Sequence, residues 1–304
     1  MEKMKKIWKT FLRSPFPAKV GVLIIMLYVG AAVFAPLLAP FSQTEVAGAV
    51  WEPAFWTNDC SEEGIRNYEC WDDINADRER KLWLGSDHLG RDLLTRLLFG
   101  ATNTISIALV TTVLSFTMGI TLGFLAATLG GHLDQLISRC VDILMAFPTL
   151  IFALMVLSVM GTSIMVLIFT IAILDATRVF RLSRAVAMDV EVMEYVEVAR
   201  LRGEGLWWLM RYEILPNTLA PLVAEFGLRF CFVFLFIASL SFLGLGIQPP
   251  LADWGGMVRE NAGAITFGIY TPLLPAISIA VLTIAVNLIV DWFLQKTAGL
   301  RDEY

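Results

Sequence analysis

The chain has 304 residues, 57% of them hydrophobic and 17% charged, with a mean hydropathy of +0.69 and a formal net charge of −5. A soluble domain carries roughly 25% charged residues, so the composition excludes an ordinary soluble enzyme and points to a chain threaded several times through a membrane. The four cysteines include no CxxC, which excludes a zinc or thioredoxin-type site of that spacing.

Residues 1–19 form a basic tail, and 20–40 are the first apolar run of span length. No A-x-A-type cleavage site follows it, so an uncleaved first span is expected. Residues 41–100 read as a polar loop with short helices; between Glu45 and Asp92 it carries twelve carboxylates, together with Trp51, Trp56, Trp71 and Trp83. Residues 101–131 are uncharged and close on a Gly-Gly turn. Residues 143–174 are also uncharged, but Gly161-Thr162-Ser163 splits them. One span must then start near Ile137, and the next must run to about Phe180. The runs 222–246 and 271–290 complete six spans, five of them in a core over 101–295, before a tail over 296–304.

Lys and Arg set the orientation. With the N-terminus inside, fifteen lie on the inner face and seven on the outer, six of those seven in the long loop. The expected fold is therefore all-α and polytopic, with six transmembrane helices, N-in and C-in. Cys60 and Cys70 then lie on the oxidising side, where a disulfide between them is expected. Two free thiols in a flexible loop are the alternative. Cys140 and Cys231 read as packing residues.

Charges near the spans are functional candidates by default. Arg139 and Asp142, Asp175 and Arg178, and Glu225 and Arg229 stand at i, i+3 or i, i+4, and Asp291 closes the last span. Local pairing near the interface is the first reading and a proton relay or substrate ligand the second. The small residues Gly119, Gly123, Ala126 and Ala127 permit close helix contact, with a second membrane subunit or within this chain.

The most informative stretch is 194–217, within a cytoplasmic loop at about 188–217. Val192, Tyr195, Val196 and Ala199 make an apolar stripe at i, i+3, i+4 and i+7, with Glu194, Glu197 and Arg200 on another face. Gly203 and Gly205 interrupt the helix. Residues 206–214 read as a second short helix, stopped at Leu215-Pro216-Asn217. Lying on anionic lipid is disfavoured by five acids between Glu191 and Glu213. A protein partner is the better occupant.

Glu197-Val198-Ala199, then Gly203, then Ile214-Leu215-Pro216 resemble the EAA loop of binding-protein-dependent ABC importer permeases, with Val198 where the motif has its second Ala. The stretch from Leu84 to Asp92 resembles the LGTDxxGRD motif of dipeptide and oligopeptide permeases. Gly131, Asp142, Ala146-Phe147-Pro148, Phe242 to Gly246, Gln248-Pro249-Pro250 and Trp254-Gly255 extend the resemblance to the second, C-type subunit. It implies a type I importer permease in a bacterial inner membrane. Its implied partners are a homologous permease, one or two ATPase subunits and an extracytoplasmic substrate-binding protein, with no nucleic acid.

The resemblance makes Glu194, Glu197, Ala199, Gly203, Gly205, Leu215 and Pro216 the coupling residues. Glu197 would offer a charge to the motor, Ala199 close approach, Gly203 the bend and Pro216 the stop. Asp87, Gly90, Arg91, Asp92, Trp254 and Gly255 are the outer-face motif residues, and neither a catalytic nor a metal set is implied. None of the seven lysines follows a glycine-rich loop, so the chain has no Walker A site. ATP and magnesium belong to the partner. A proton-driven symporter would need carboxylates at mid-membrane, whereas Asp142, Asp175 and Asp291 cluster near the inner ends. A membrane scaffold without transport is the other rival. Peptides are the expected cargo; nickel and opine-like conjugates are alternatives within the family.

Overall fold

A computed structural model describes residues 15–54 and 81–297. Cys60 and Cys70 lie outside the described residues, and so does the bridge expected between them. The described residues are helical apart from turns and two isolated antiparallel bridges, Val46 with Arg91 and Ser86 with Asp92. They divide into two compact units. The first comprises 15–23, 107–236 and 283–297; the second comprises 24–54, 81–106 and 237–282.

The helices in chain order are α1 (Phe16–Leu38), α2 (Leu93–Leu129), α3 (Gly131–Ala146), α4 (Thr149–Met160), α5 (Ile164–Glu191), α6 (Glu194–Leu201), α7 (Leu206–Phe242), α8 (Trp254–Asn261) and α9 (Leu273–Thr297). Among them α1, α2, α7 and α9 are long and apolar enough to cross a membrane. The pair α3–α4 passes the same test jointly but is bent by 86°. The span expected to start near Ile137 falls within this bent pair. Phe147 is extended (ψ 137°) and Pro148 follows it, and a residue before proline is pushed out of the α region. The 28-residue α5 runs well past Phe180, but Asp175, Arg178, Arg181 and Arg184 make it less apolar than the other spans.

The outer loop ends earlier than expected, because α2 begins at Leu93. Asp92 caps it, its Oδ2 accepting from the Thr95 backbone N–H at 2.7 Å. At about 1.5 Å per residue, the 37-residue α2 is about 55 Å long, well beyond the hydrocarbon thickness. Gly130 and Gly131, at φ 59° and 57°, turn the chain into α3.

In the first unit the small residues serve packing within this chain. A Cβ on Gly119 would lie 2.6 Å from Val179 Cβ, and one on Gly123 would lie 2.9 Å from Arg184 N and 3.0 Å from Phe180 O. The Ser183 hydroxyl donates to Gly119 O at 3.0 Å across the same α2–α5 contact. Ala126 packs with Val141 and Phe180, and Ala127 with Phe124, Ala187 and Ile214. Backbone atoms cannot step aside for a side chain. Gly123→Val is therefore expected to cost about 1–3 kcal/mol, read as a lower melting temperature in detergent, while Gly30→Ala, where a Cβ meets only open space, leaves it unchanged.

Two of the three expected local charge pairs are replaced by pairs between helices. Asp142 binds Arg181 at 2.6 Å, and Asp175 lies 3.7 Å from Arg229 while accepting from the Ser115 hydroxyl at 3.0 Å. Residues three apart differ by about 60° around a helix, which leaves Asp175 buried and Arg178 exposed. Glu225 and Arg229 do pair at 2.5 Å.

Candidate functional site

In the second unit the Leu84–Asp92 motif closes around one carboxylate. Gly85 (φ 80°) and Gly90 (φ 77°) fold the loop before α2 into a tight turn. A Cβ on either would strike backbone, that of Glu52 or Gly48. Inside the turn Asp87 is fully buried. Its Oδ1 accepts from the Leu89 and Arg91 backbone N–H groups at 2.8 and 2.9 Å, and its Oδ2 accepts from Arg91 Nε at 2.7 Å. Arg96 Nε lies 3.4 Å from the same Oδ2. Both guanidiniums also reach Glu260 Oε2 on α8, at 3.0 Å from Arg91 and 2.8 Å from Arg96. Two buried cations thus meet two carboxylates.

The rest of α8 is clamped to the same place. Trp254 is buried, its Nε1 donating to Leu97 O at 3.0 Å and its backbone N–H to Thr104 Oγ1 at 3.2 Å. Gly255 lies against the Ala238 backbone, where a Cβ would come within 2.8 Å of Cα. Asn261 accepts from the His88 backbone N–H at 3.0 Å and from Trp51 Nε1 at 3.3 Å. Asp87, His88 and Glu260 are close enough to share a cation, but both carboxylates are already held by arginines that would repel one.

Asp253 caps α8 by accepting from the Gly256 N–H at 2.9 Å. Burial pushes its carboxyl up to about 6, against the hydrogen bonds from Gly256 and Ser241 that favour the charged form; burial also raises Asp92. An unfolded Asp titrates near 3.9. Because the folded value is the higher one, this stabilisation is complete below about pH 4 and is lost as pH rises through about 6, some 3 kcal/mol in all. Asp253→Asn retains a capping oxygen and cannot titrate. Its stability in detergent is expected to fall less than that of the wild type between pH 4 and 6, and parallel curves would refute the assignment.

In the first unit α6 is held inward by Val196 and Ala199, both buried against Leu209 of α7, with Val190 and Trp208 around them. Arg200 binds Glu191 at 2.6 Å and donates to Thr128 O at 3.3 Å, tying α6 to the ends of α5 and α2. Gly203 sits at φ 83°. The Glu204 N–H reaches Ala199 O and the Gly203 N–H reaches Arg200 O, a Schellman cap with glycine at its left-handed position. Glu194, Glu197, Tyr195, Val198 and Leu201 remain exposed, Leu201 at 81%.

Three sequence expectations change here. Ala199 faces the chain's own core, and of the expected apolar stripe only Val196 and Ala199 are buried, while Val192 and Tyr195 are exposed. Gly205 has φ −75° and precedes α7 as an ordinary extended residue. Leu215-Pro216 stops nothing, because α7 continues through it to Phe242. The reason is a π turn over Leu209–Ile214, in which the Leu215 N–H reaches back five residues to Met210 O. The Asn217 side-chain amide donates to Glu213 O at 2.6 Å in the turn that lacks a proline N–H. Sequence reasoning missed Arg96, Glu260 and Asn261; for the last two the one signal was a polar face within the short Trp254–Asn261 segment between apolar runs.

Residues 119–297 match the family described as "Binding-protein-dependent transport system inner membrane component", and residues 3–50 match "N-terminal TM domain of oligopeptide transport permease C". The di/tripeptide transport system permease protein DppC of Pseudomonas aeruginosa is 34% identical over 300 residues, covering 98% of this chain and 90% of that protein. The glutathione transport system permease protein GsiD of Pectobacterium atrosepticum is 29% identical over 298 residues, covering 98% and 89%. The dipeptide transport system permease protein DppC of Alkalihalophilus pseudofirmus is 31% identical over 287 residues, covering 94% and 84%. With a family match over more than half its length and a similar relative along nearly all of it, the chain belongs to the inner membrane components of binding-protein-dependent transport systems.

Proposed function

We propose that this chain is one of two membrane subunits of an ATP-driven importer of short peptides, crossing the bacterial inner membrane six times with both termini inside. The sixth crossing is α5, whose Asp175, Arg181 and Arg184 are held in pairs with neighbouring helices. The observation that carries the coupling role is the mounting of α6: one face is locked onto α7 and the other presents Tyr195, Val198 and Leu201 with Glu194 and Glu197 between them. Exposed apolar groups interspersed with charge on a rigid element suit a protein partner. That partner is the ATPase, which supplies ATP and magnesium chemistry that this chain has no Walker lysine to perform. Movement of the ATPase biases the permease only through contacts that differ between its two states. A substrate-binding protein delivers cargo on the outer face. Peptide cargo is supported by relatives named for dipeptides, di/tripeptides and glutathione.

The test is reconstitution in liposomes with a companion permease, ATPase and binding protein. Uptake of labelled dipeptide that requires ATP is expected, and a complex that hydrolyses ATP without accumulating any peptide would contradict the reading. Within that assay Gly203→Val isolates the cap. A Cβ there meets open space, so the cost is backbone strain of about 1–2 kcal/mol. That corresponds to a factor of about 5–30 between states. Uptake per ATP hydrolysed is expected to fall while the complex still assembles; unchanged coupling would argue against α6 as the transmitting element.

A further inference from the structure

A cavity of about 240 Å³ opens in the first unit between α4, α5 and α7. It lies just below the range of about 300–1,000 Å³ usual for drug-sized ligands, a fit for a two-residue peptide. Its walls are mainly apolar, with Ile171, Leu174, Phe232 and Phe236 contributing, and two charged residues also line it, Asp175 and Arg178. At i, i+3 these two are spaced to pair, yet no ion pair within 4.0 Å joins them. Asp175 goes to the Ser115 hydroxyl and, at 3.7 Å, to Arg229. Arg229, behind this wall, is shared with Glu225, so two carboxylates meet one guanidinium there. Arg178 donates to the neutral Thr149 hydroxyl at 3.3 Å and has no carboxylate within 4.0 Å among the described residues. A charge left without a counter-ion within a span is costly and marks a ligand path.

We propose that this cavity receives a short peptide in transit, with the peptide's C-terminal carboxylate on Arg178, its α-ammonium toward Asp175, and an apolar side chain against Phe232 and Phe236. A zwitterion supplies the two charges that these walls lack. The proposal rests on the reading of the chain as a peptide permease and adds the group by which the permease itself recognises cargo.

The experiment uses the assembled permease–ATPase complex in detergent, without the binding protein, and radiolabelled glycyl-photoleucine as the probe. Label is expected on peptides containing 171–178 or 232–236. Unlabelled glycyl-leucine should compete for it, and glycyl-leucine amide should compete about tenfold or more less well, the loss expected for a charge-assisted pair. Arg178→Gln should lose the label and Arg178→Lys should recover part of it. Label elsewhere, an amide or free leucine that competes as well as glycyl-leucine, or full labelling of Arg178→Gln would overturn the proposal. Should Arg178→Gln fail to assemble, the amide competition on the wild type still decides. ATP-driven uptake of glycyl-leucine by the reconstituted transporter separates the two claims: uptake without cavity label leaves the peptide-permease reading standing and removes this site, whereas no peptide uptake removes the reading itself.

Discussion

Replacing Asp87 by Asn is expected to cost about 3–5 kcal/mol, the loss that follows when a buried ion pair is left with one partner. The substitution preserves shape. An amide oxygen at Oδ1 can still accept from the Leu89 and Arg91 backbone N–H groups. The second position becomes an NH₂ facing Arg91 Nε at 2.7 Å and Arg96 Nε at 3.4 Å, so donors meet donors and two buried guanidiniums share Glu260 alone. Glu260 is partly open to solvent, its side chain 19% exposed against 0% for Asp87. Glu260→Gln should therefore be milder. The readout is thermal unfolding in detergent, together with protease sensitivity of the loop at 81–92 and of α8, which the network joins. A melting temperature for Asp87→Asn within about a degree of wild type would show that the network contributes little to stability.

Leu201→Asp is expected to detach the ATPase while leaving the permease folded. Leu201 is 81% exposed at the end of α6 and is not part of the Val196–Ala199–Leu209 cluster, so the change removes nothing from the interior. At a docking surface a buried apolar anchor is worth 2 kcal/mol or more, about thirtyfold in affinity, and a carboxylate buried there without a partner adds to the loss. Val198→Asp should act in the same direction. Val196→Asp is the contrasting case, because Val196 is wholly buried and its replacement should unfold α6 itself. Co-purification of the ATPase with each variant, alongside gel filtration of the permease, separates loss of docking from loss of folding.

The spans were legible wherever apolar runs were long and uninterrupted. Each of the four clear spans was found, with ends displaced by caps such as Asp92, which carries α2 two turns further out than its uncharged stretch. Failures came where a local rule met a tertiary one. Pro216 follows a residue that should leave the helix, yet the π turn before it absorbs the missing N–H, and nothing in composition announces a π turn. Pro148 did break its helix, by 86°, but an uncharged run gave no hint of the angle. At the coupling element the stripe was visible and its depth was not. Only packing against Leu209 decides that Ala199 is inside and Tyr195 outside. The Leu84–Asp92 motif was recognised as a string, while its meaning lies in Arg96 and Glu260, which sit outside that string and 164 positions apart.

The central claim is that the exposed side of α6 receives the motor on the inner face. A photo-crosslinker attached at Leu201→Cys, in the complete transporter and with Cys60, Cys70, Cys140 and Cys231 replaced by Ser, tests it most directly, with Ile265→Cys as the exposed comparison in the other unit. The ATPase is expected to crosslink to position 201 and not to 265. An intact complex whose ATPase crosslinks to 265, or leaves 201 unlabelled, would contradict the account.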